Sequence, residues 1–394
     1  MTPSTQLLGF DYQPRTRLLF GLNTLDRLGE LSRELGGSRA LMVTDPGLRT
    51  AGHVDRARRI LEAAGLRVTV YDGVRENPTT RDVEACTETA RAAEVDLLIG
   101  LGGGSSLDTA KGCNFLLTNG GRMQDYWGYG KAGRPMLPFI AAPTTAGTGS
   151  ECQSYALIAD EETHQKMACG DPKAAPTVAL LDPLLTVSQP RPVTAVTGLD
   201  ALAHAVETAV TRKRTELSAL YSREAFRLTA SHLQQVLDHP DDLNARAGMQ
   251  LGAAYAGIAI ENSMLGAAHS AANPLTARCG TVHGQAVGMM LPHVVRFNAE
   301  EPAARGIYGG LARYAGLVRN GATPDEEVAA LVERLEALLD AAGMPPSLAE
   351  SGVPETRIPE LAREAAEQWT AQFNPRPLTA PDFEALYRKA ARAR

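Results

Sequence analysis

Residues 96–112 read "DLLIGLGGGSSLDTAKG". An apolar run closes on three consecutive glycines, Gly102 to Gly104, and a helical pattern follows at once. This is the signature of a buried strand turning directly into a helix. Without Cβ atoms at the turn, an anion can approach the backbone N–H groups and the positive end of the helix dipole. The spacing is not G-x-G-x-x-G after the first strand, so the stretch alone reads equally as a phosphate cradle or as a tight turn.

Outward from this turn the first half alternates short β-rich runs with helical patterns: "RALMVTD" (39–45), "HVDRARRILEAAG" (53–65), "RVTVYD" (67–72) and "TRDVEACTETARAAE" (80–94). Such βαβα alternation implies a parallel sheet covered by helices on both faces. "PMLPFIAAPTT" (135–145) and "APTVALLDP" (175–183) add further strands. A second loop, "APTTAGTGSE" (142–151), follows one of them and offers hydroxyls and glycines suited to a pyrophosphate or a ribose. Asp45 ends an early strand, where its carboxylate would either accept ribose hydroxyls and repel a 2′-phosphate or simply cap a helix. With six lysines against 33 arginines, Lys111 and Lys166 beside these loops point mildly to a need for a compact charge.

Strand signals nearly stop after "LLDPLLTVSQPRPVTAVTG" (180–198), and long apolar-periodic stretches take over, such as "SREAFRLTASHLQQVL" (222–237). The expected division is an α/β domain over 1–185 and an all-helical domain over 186–394, closing in an exposed amphipathic helix at "APDFEALYRKAARAR". The 394 residues are 44% apolar and 21% charged, the usual balance of a soluble protein. A net charge of −6 without a basic block speaks against nucleic acid or an anionic membrane as partner. The amino terminus lacks the pattern of a signal peptide, and five scattered cysteines fit reduced thiols, so the expected compartment is the cytoplasm.

"GLDALAHAVE" (198–207) sets Asp200 and His204 four apart, one helical turn from each other on the same face. Alone, the pair reads as readily as a helix-start aspartate plus a hydrogen-bonded histidine. "HSAANPLTARCGTVHG" (269–284) adds His269 and His283 in a chain with only eight histidines. A continuous helix would hold them roughly 21 Å apart. Pro274 and Gly280 predict a break and reversal instead, with His269 near the end of one helix and His283 at the start of the next. One carboxylate and three imidazoles suit a borderline divalent ion such as Fe(II) or Zn(II).

Together these stretches, with "RLLFGLNTLDRLGEL", "ENPT", "VHGQAVGMMLPHVVRFN" and "NPRPLTAPDFEALYRKA", resemble the iron-containing (group III) alcohol dehydrogenase family nearly end to end. The resemblance implies a dinucleotide-binding α/β domain, an all-helical metal domain of dehydroquinate synthase-like architecture, and a cleft between them. It implies Asp200, His204, His269 and His283 as metal ligands. It implies Asp45, Asn77, Gly103, Gly104, Ser105, Thr144, Thr145, Thr148 and Lys166 as contacts to NAD(H). The expected enzyme is a homo-oligomer, dimer or higher, acting on a small alcohol, aldehyde or ketone by direct hydride transfer, with the metal, Fe(II) first and Zn(II) second, as Lewis acid.

Two positions depart from the family pattern. Many members carry a histidine four residues after the third ligand, near the nicotinamide, and here that position is Asn273. An asparagine found in some relatives four residues beyond the loop glutamate is replaced by Tyr155. The first removes an imidazole credited with relaying the alcohol proton. The rival readings are a cyclising lyase of the dehydroquinate synthase type, which uses NAD transiently, and a non-catalytic metal- or nucleotide-binding relative.

Overall fold

The computed structural model describes residues 9–163 and 165–392. Its chain forms two compact units, one from Pro14 to Gln189 and one from Pro190 onward that also takes in residues 9–13.

The first unit carries strands β1 (Arg17–Phe20), β2 (Arg39–Val43), β3 (Arg67–Tyr71), β4 (Leu97–Gly102), β5 (Gly128–Tyr129), β6 (Phe139–Pro143), β7 (Tyr155–Ala159), β8 (Lys166–Gly170) and β9 (Val178–Leu181). Its helices are α1 (Leu28–Glu34), α2 (Pro46–Thr50), α3 (His53–Ala63), α4 (Thr80–Ala92) and α5 (Gly104–Asn119). Six strands form a wholly parallel sheet in the order β1-β9-β6-β4-β2-β3. Every residue of β4, β6 and β9 is buried, as expected when helices cover both faces of a parallel sheet. Alternation assigns the side chains: Met42, Ile99 and Leu101 join Leu28, Ala57 and Leu61 on one face, while Leu41, Val43 and Leu98 join Cys86, Ala90 and Cys113 on the other. The two cysteines act there as small apolar residues.

The connection from β2 runs outward to β3, whereas the chain leaving β4 runs the opposite way to β6 and β9. Neighbouring strands β2 and β4 therefore form a topological switch point, and in open α/β sheets the crevice at the carboxyl ends of such strands is where ligands bind. Asp45 follows β2 and the three glycines close β4. A second sheet, β5-β8-β7, was not legible as such in the sequence. Its main pair, β7 with β8, is antiparallel, five residues per strand, and β7 alternates buried with exposed positions too briefly to stand out.

The second unit holds α6 (Arg191–Val210), α7 (Glu216–Asp238), α8 (Leu243–Glu261), α9 (Ala267–Cys279), α10 (His283–Asn298), α11 (Pro302–Tyr314), α12 (Pro324–Ala341), α13 (Ile358–Glu367) and α14 (Ala380–Ala390). No strand occurs in it among the described residues. Helix α6 is buried on all sides from Gly198 to Val210, the mark of a central helix. Glycines let its neighbours close in: a Cβ built at Gly284 on α10 would lie 2.0 Å from the Val196 carbonyl oxygen of α6. At the other end of the chain α14 buries Phe383, Leu386, Tyr387 and Ala390 on one stripe.

Pro274 does not break the chain; it lies inside α9, and His269 stands in the first turn of that helix rather than near the end of one. The helix ends only at Gly280, whose left-handed φ of 69° no β-carbon opposes, and α10 begins at His283. Proline forfeits one backbone hydrogen bond, which packing on neighbouring helices outweighs.

Candidate metal centre and nucleotide cradle

The nucleotide-like features of the first unit gather at the switch point. Gly103 is the N-cap of α5 and supplies no capping side chain; the Ser106 amide donates to Gly103 O at 3.0 Å, and the Gly104 and Ser105 amides before it face outward at the start of this 16-residue helix. The glycines are required by the second loop: Cβ atoms at Gly103 and Gly104 would lie 3.2 Å from Thr145 Cγ2 and 2.7 Å from Thr148 Cγ2. Thr144 donates its amide to Gly102 O at 3.0 Å, tying the two loops together. Ser105 follows in the first turn of α5. The cradle is therefore shaped by what the glycines omit.

Asp45 caps α2, its Oδ1 accepting from the Leu48 amide at 3.1 Å. The same helix reaches the cradle, since Leu48 Cδ1 is 3.2 Å from the position of a Cβ on Gly102. Asn77 and Lys166 come from other segments. Asn77 occupies an exposed left-handed turn (φ 53°), and Ala159, which donates to Pro78 O at 2.9 Å, is the cross-strand partner of Lys166. Ala159 links the two segments, and the Lys166 charge also reaches Asp108 of α5, which it favours in its ionised form.

Lys111 is a strut. Fully buried, it donates to Ser150 O and Ser150 Oγ at 2.7 Å and to Tyr155 O at 2.8 Å, using three donors of one ammonium to pin the second loop to α5. Asp108 accepts from Ser150 Oγ at 2.6 Å in the same network. Next to it, burial pushes the Glu151 carboxyl up to about 7, against the pull of its own backbone amide and of Lys111. Tyr155 packs into the space that Gly170 leaves, 2.4 Å from where a Cβ would stand.

In the helical unit the structure brings Asp200, His204, His269 and His283 together. Asp200 Oδ1 lies 3.4 Å from His204 Nε2, 3.3 Å from His269 Nε2 and 3.8 Å from His283 Nε2. Ligand atoms of Asp200, His269 and His283 all fall within 4.8 Å of one another. His204 joins through Asp200 and through its ring, stacked on that of His269 with centroids 4.8 Å apart. Three ring nitrogens within 3.8 Å of one carboxylate oxygen make a donor set whose chemistry suits a divalent ion. Burial opposes the charge on Asp200, yet the three histidines hold its carboxyl well below the usual range.

Glu207, quoted in the sequence but given no role there, stands directly behind this cluster. His269 Nδ1 donates to its Oε2 at 2.5 Å, and the Ala268 amide donates to its Oε1 at 2.7 Å. Burial lowers the His269 ring, but Glu207 and Asp200 together raise it to about 9. Its position, three residues after His204, was the only signal the sequence held. Asn273, one turn beyond His269, donates its side-chain amide to Gln368 Oε1 at 2.9 Å.

A parallel-sheet unit with a glycine cradle at its switch point, followed by a helical unit with a buried Asp/His cluster, defines a class of two-unit oxidoreductases. The model of the iron-containing alcohol dehydrogenase family matches residues 14–183, and that of its Fe-containing C-terminal region matches residues 194–391. The lactaldehyde reductase of Escherichia coli strain K12 is 35% identical over 94% of this chain and 97% of its own length. A solved 1,3-propanediol oxidoreductase superimposes with a TM-score of 0.93 at 33% identity, covering 97% of this chain and all (100%) of the other. The sulfoacetaldehyde reductase of Bifidobacterium kashiwanohense, solved with NAD+, gives 0.88 at 26% identity over 98% and 99%. The chain belongs to the iron-containing alcohol dehydrogenase family and is an alcohol dehydrogenase of that kind. A cyclising lyase is not favoured by these matches.

Proposed function

We propose that this chain is an NAD(H)-dependent oxidoreductase that interconverts a small primary or secondary alcohol and its aldehyde or ketone, using a divalent ion held by Asp200, His204, His269 and His283. The observation that carries this reading is the convergence of three Nε2 atoms on Asp200 Oδ1. In this reading residues 1–185 hold the nucleotide and residues 186–394 the ion. The pyrophosphate lies against Gly103, Gly104 and Ser105, with Thr144, Thr145 and Thr148 beside it, Asp45 toward the adenosine ribose, and Asn77 and Lys166 at the outer end.

A divalent ion at the four donors, Fe(II) first and Zn(II) second, supplies Lewis acidity toward the alcohol or carbonyl oxygen. The chain's own groups do the rest: the backbone amides of the glycine cradle and α5 N-terminus bind and orient the cofactor, and Asn273 sits one turn from His269 where it can hold a water or the nicotinamide amide. An amide has no useful basicity, so Asn273 positions rather than abstracts, and the alcohol proton leaves through water or ribose hydroxyls. A small-molecule substrate is supported by the names of the relatives, lactaldehyde reductase and 1,3-propanediol oxidoreductase. Five free cysteines fit a reducing, cytoplasmic setting, and the homo-oligomeric state in this reading is checked by light scattering.

The test is anaerobic purification with metal analysis, then NADH oxidation across a panel of small aldehydes and ketones. Activity should vanish on chelation and return with Fe(II), with Zn(II) binding at least as tightly but giving different turnover. Full activity in protein shown to be free of metal refutes the reading, and phosphate release with catalytic NAD would favour the lyase.

A further inference from the structure

We infer that Glu207 is a positioning residue that holds the His269 ring by its Nδ1 and so keeps Nε2 turned toward the metal site. The inference rests on the proposed reading that the Asp200 cluster holds a divalent ion.

The geometry singles out a carboxylate. Helix α9 has no side-chain cap of its own, because its N-cap is Gly266. Its first amides are instead satisfied from other parts of the chain: Ala267 N donates to Asn374 Oδ1 at 3.3 Å, Ala268 N to Glu207 Oε1 at 2.7 Å and His269 N to Glu207 Oε2 at 3.4 Å. Gly266 leaves the opening, since a Cβ there would lie 3.1 Å from both Glu207 Oε1 and Asn374 Oδ1. Glu207 is only 3% exposed, so no water competes for its oxygens at the surface. The group that fixes the backbone of His269 also receives its ring Nδ1 at 2.5 Å. With Nδ1 held on Glu207, Nε2, 3.3 Å from Asp200 Oδ1, is the nitrogen turned to the Asp200 cluster and the one placed to bind an ion.

Glutamine cannot replace it. Two oxygens of Glu207 accept from three N–H donors, whereas glutamine has one accepting oxygen. If its NH2 faces Ala268 N, two donors collide; if it faces His269 Nδ1, it donates there and drives the ring proton onto Nε2. Either outcome spoils the helix end or the ligand.

The experiment strips the full-length protein with a chelator and titrates it with Zn2+ against a competing indicator, in wild type, Glu207→Gln and Asn374→Ala. Thermal unfolding of each metal-free protein is measured alongside. Asn374→Ala damages the same helix end without touching the His269 ring. Glu207→Gln should lose Zn2+ affinity by about 10–100-fold, the usual effect of removing such a supporting group, whereas Asn374→Ala should lose stability and keep near-native affinity. With Co2+ in place of Zn2+, the visible bands of Glu207→Gln should differ from those of wild type, a readout that a purely structural cap leaves unmoved. Native affinity in Glu207→Gln overturns the inference, and so does an equal loss in Asn374→Ala. Failure of the wild type to bind any divalent ion overturns the functional reading itself, a distinguishable result.

Discussion

Two glycine-to-alanine substitutions in helices of the same unit should act in opposite directions. Alanine is the better helix former by ~0.8–1 kcal/mol, so the space around each glycine decides the sign. Gly306 in α11 is exposed, and a Cβ there would meet nothing within 4 Å. Gly306→Ala should therefore stabilise by ~0.5–1 kcal/mol. At Gly284 the added carbon would stand 2.0 Å from Val196 O and 2.7 Å from Val196 C, both backbone atoms of a central helix. A carbon needs about 3.3 Å from a carbonyl oxygen, so α10 must retreat from α6 by roughly 1.3 Å. Such overpacking costs ~1–3 kcal/mol or more. The retreat also moves the residue next door: His283 Nε2, now 3.8 Å from Asp200 Oδ1, would stand about 5 Å away. At roughly 2–4 °C per kcal/mol, scanning calorimetry of the metal-free proteins should show Gly284→Ala several degrees below wild type and Gly306→Ala slightly above it. Metal analysis after reloading should show a depleted site in Gly284→Ala alone. A Gly284→Ala protein with native melting temperature and native metal content would refute the argument.

Three further outcomes are expected. The Glu151 carboxyl, raised by burial from 4.5 to about 7, gives stability that is complete below pH 4.5 and lost as pH rises to about 7, worth at most ~3 kcal/mol; Glu151→Gln should flatten the slope of urea-unfolding free energy between pH 5 and 7, and an unchanged slope counts against it. Asp45→Gly should relax the preference for NADH over NADPH at little cost in stability, because glycine is a tolerable N-cap; a wild type that already uses both cofactors equally would sink the assignment. Asn273→Ala should lower kcat only modestly, far short of the ~10²–10⁴ typical of a general acid or base, with metal content unchanged, whereas Asn273→His should add an ionisation near neutrality to the pH profile of kcat/KM.

The parallel sheet was legible because its strands are short apolar runs separated by helical periods, and the glycines after β4 marked the strand-to-helix turn without deciding between a cradle and a plain tight turn. The helical character of the second unit was equally plain. What the sequence could not carry was partnership at a distance. Nothing local distinguishes Lys111 as a strut for Ser150 from a lysine facing a phosphate, and only the fold shows its three donors occupied. Pro274 was over-read as a break because local propensity ignores packing, and Glu207 was passed over because its role depends on a helix 60 residues downstream. The hairpin of β7 and β8 escaped because five-residue strands give alternation too few periods to register.

The sheet order has a consequence for synthesis. Among the described residues β1 precedes every other strand, yet it hydrogen-bonds to β9, which follows all the others. Every chain shorter than Leu181 therefore carries an unmatched β1 and an incomplete edge beside β6, and the closing contact joins residues some 160 positions apart. A fold whose first strand waits for its ninth gains little from vectorial growth and pays loop-closure entropy late. Nascent chains halted within the first half should be the species that chaperones hold, and transplanting the β1 segment to follow β9 should shorten that wait without altering a single side chain of the helical unit.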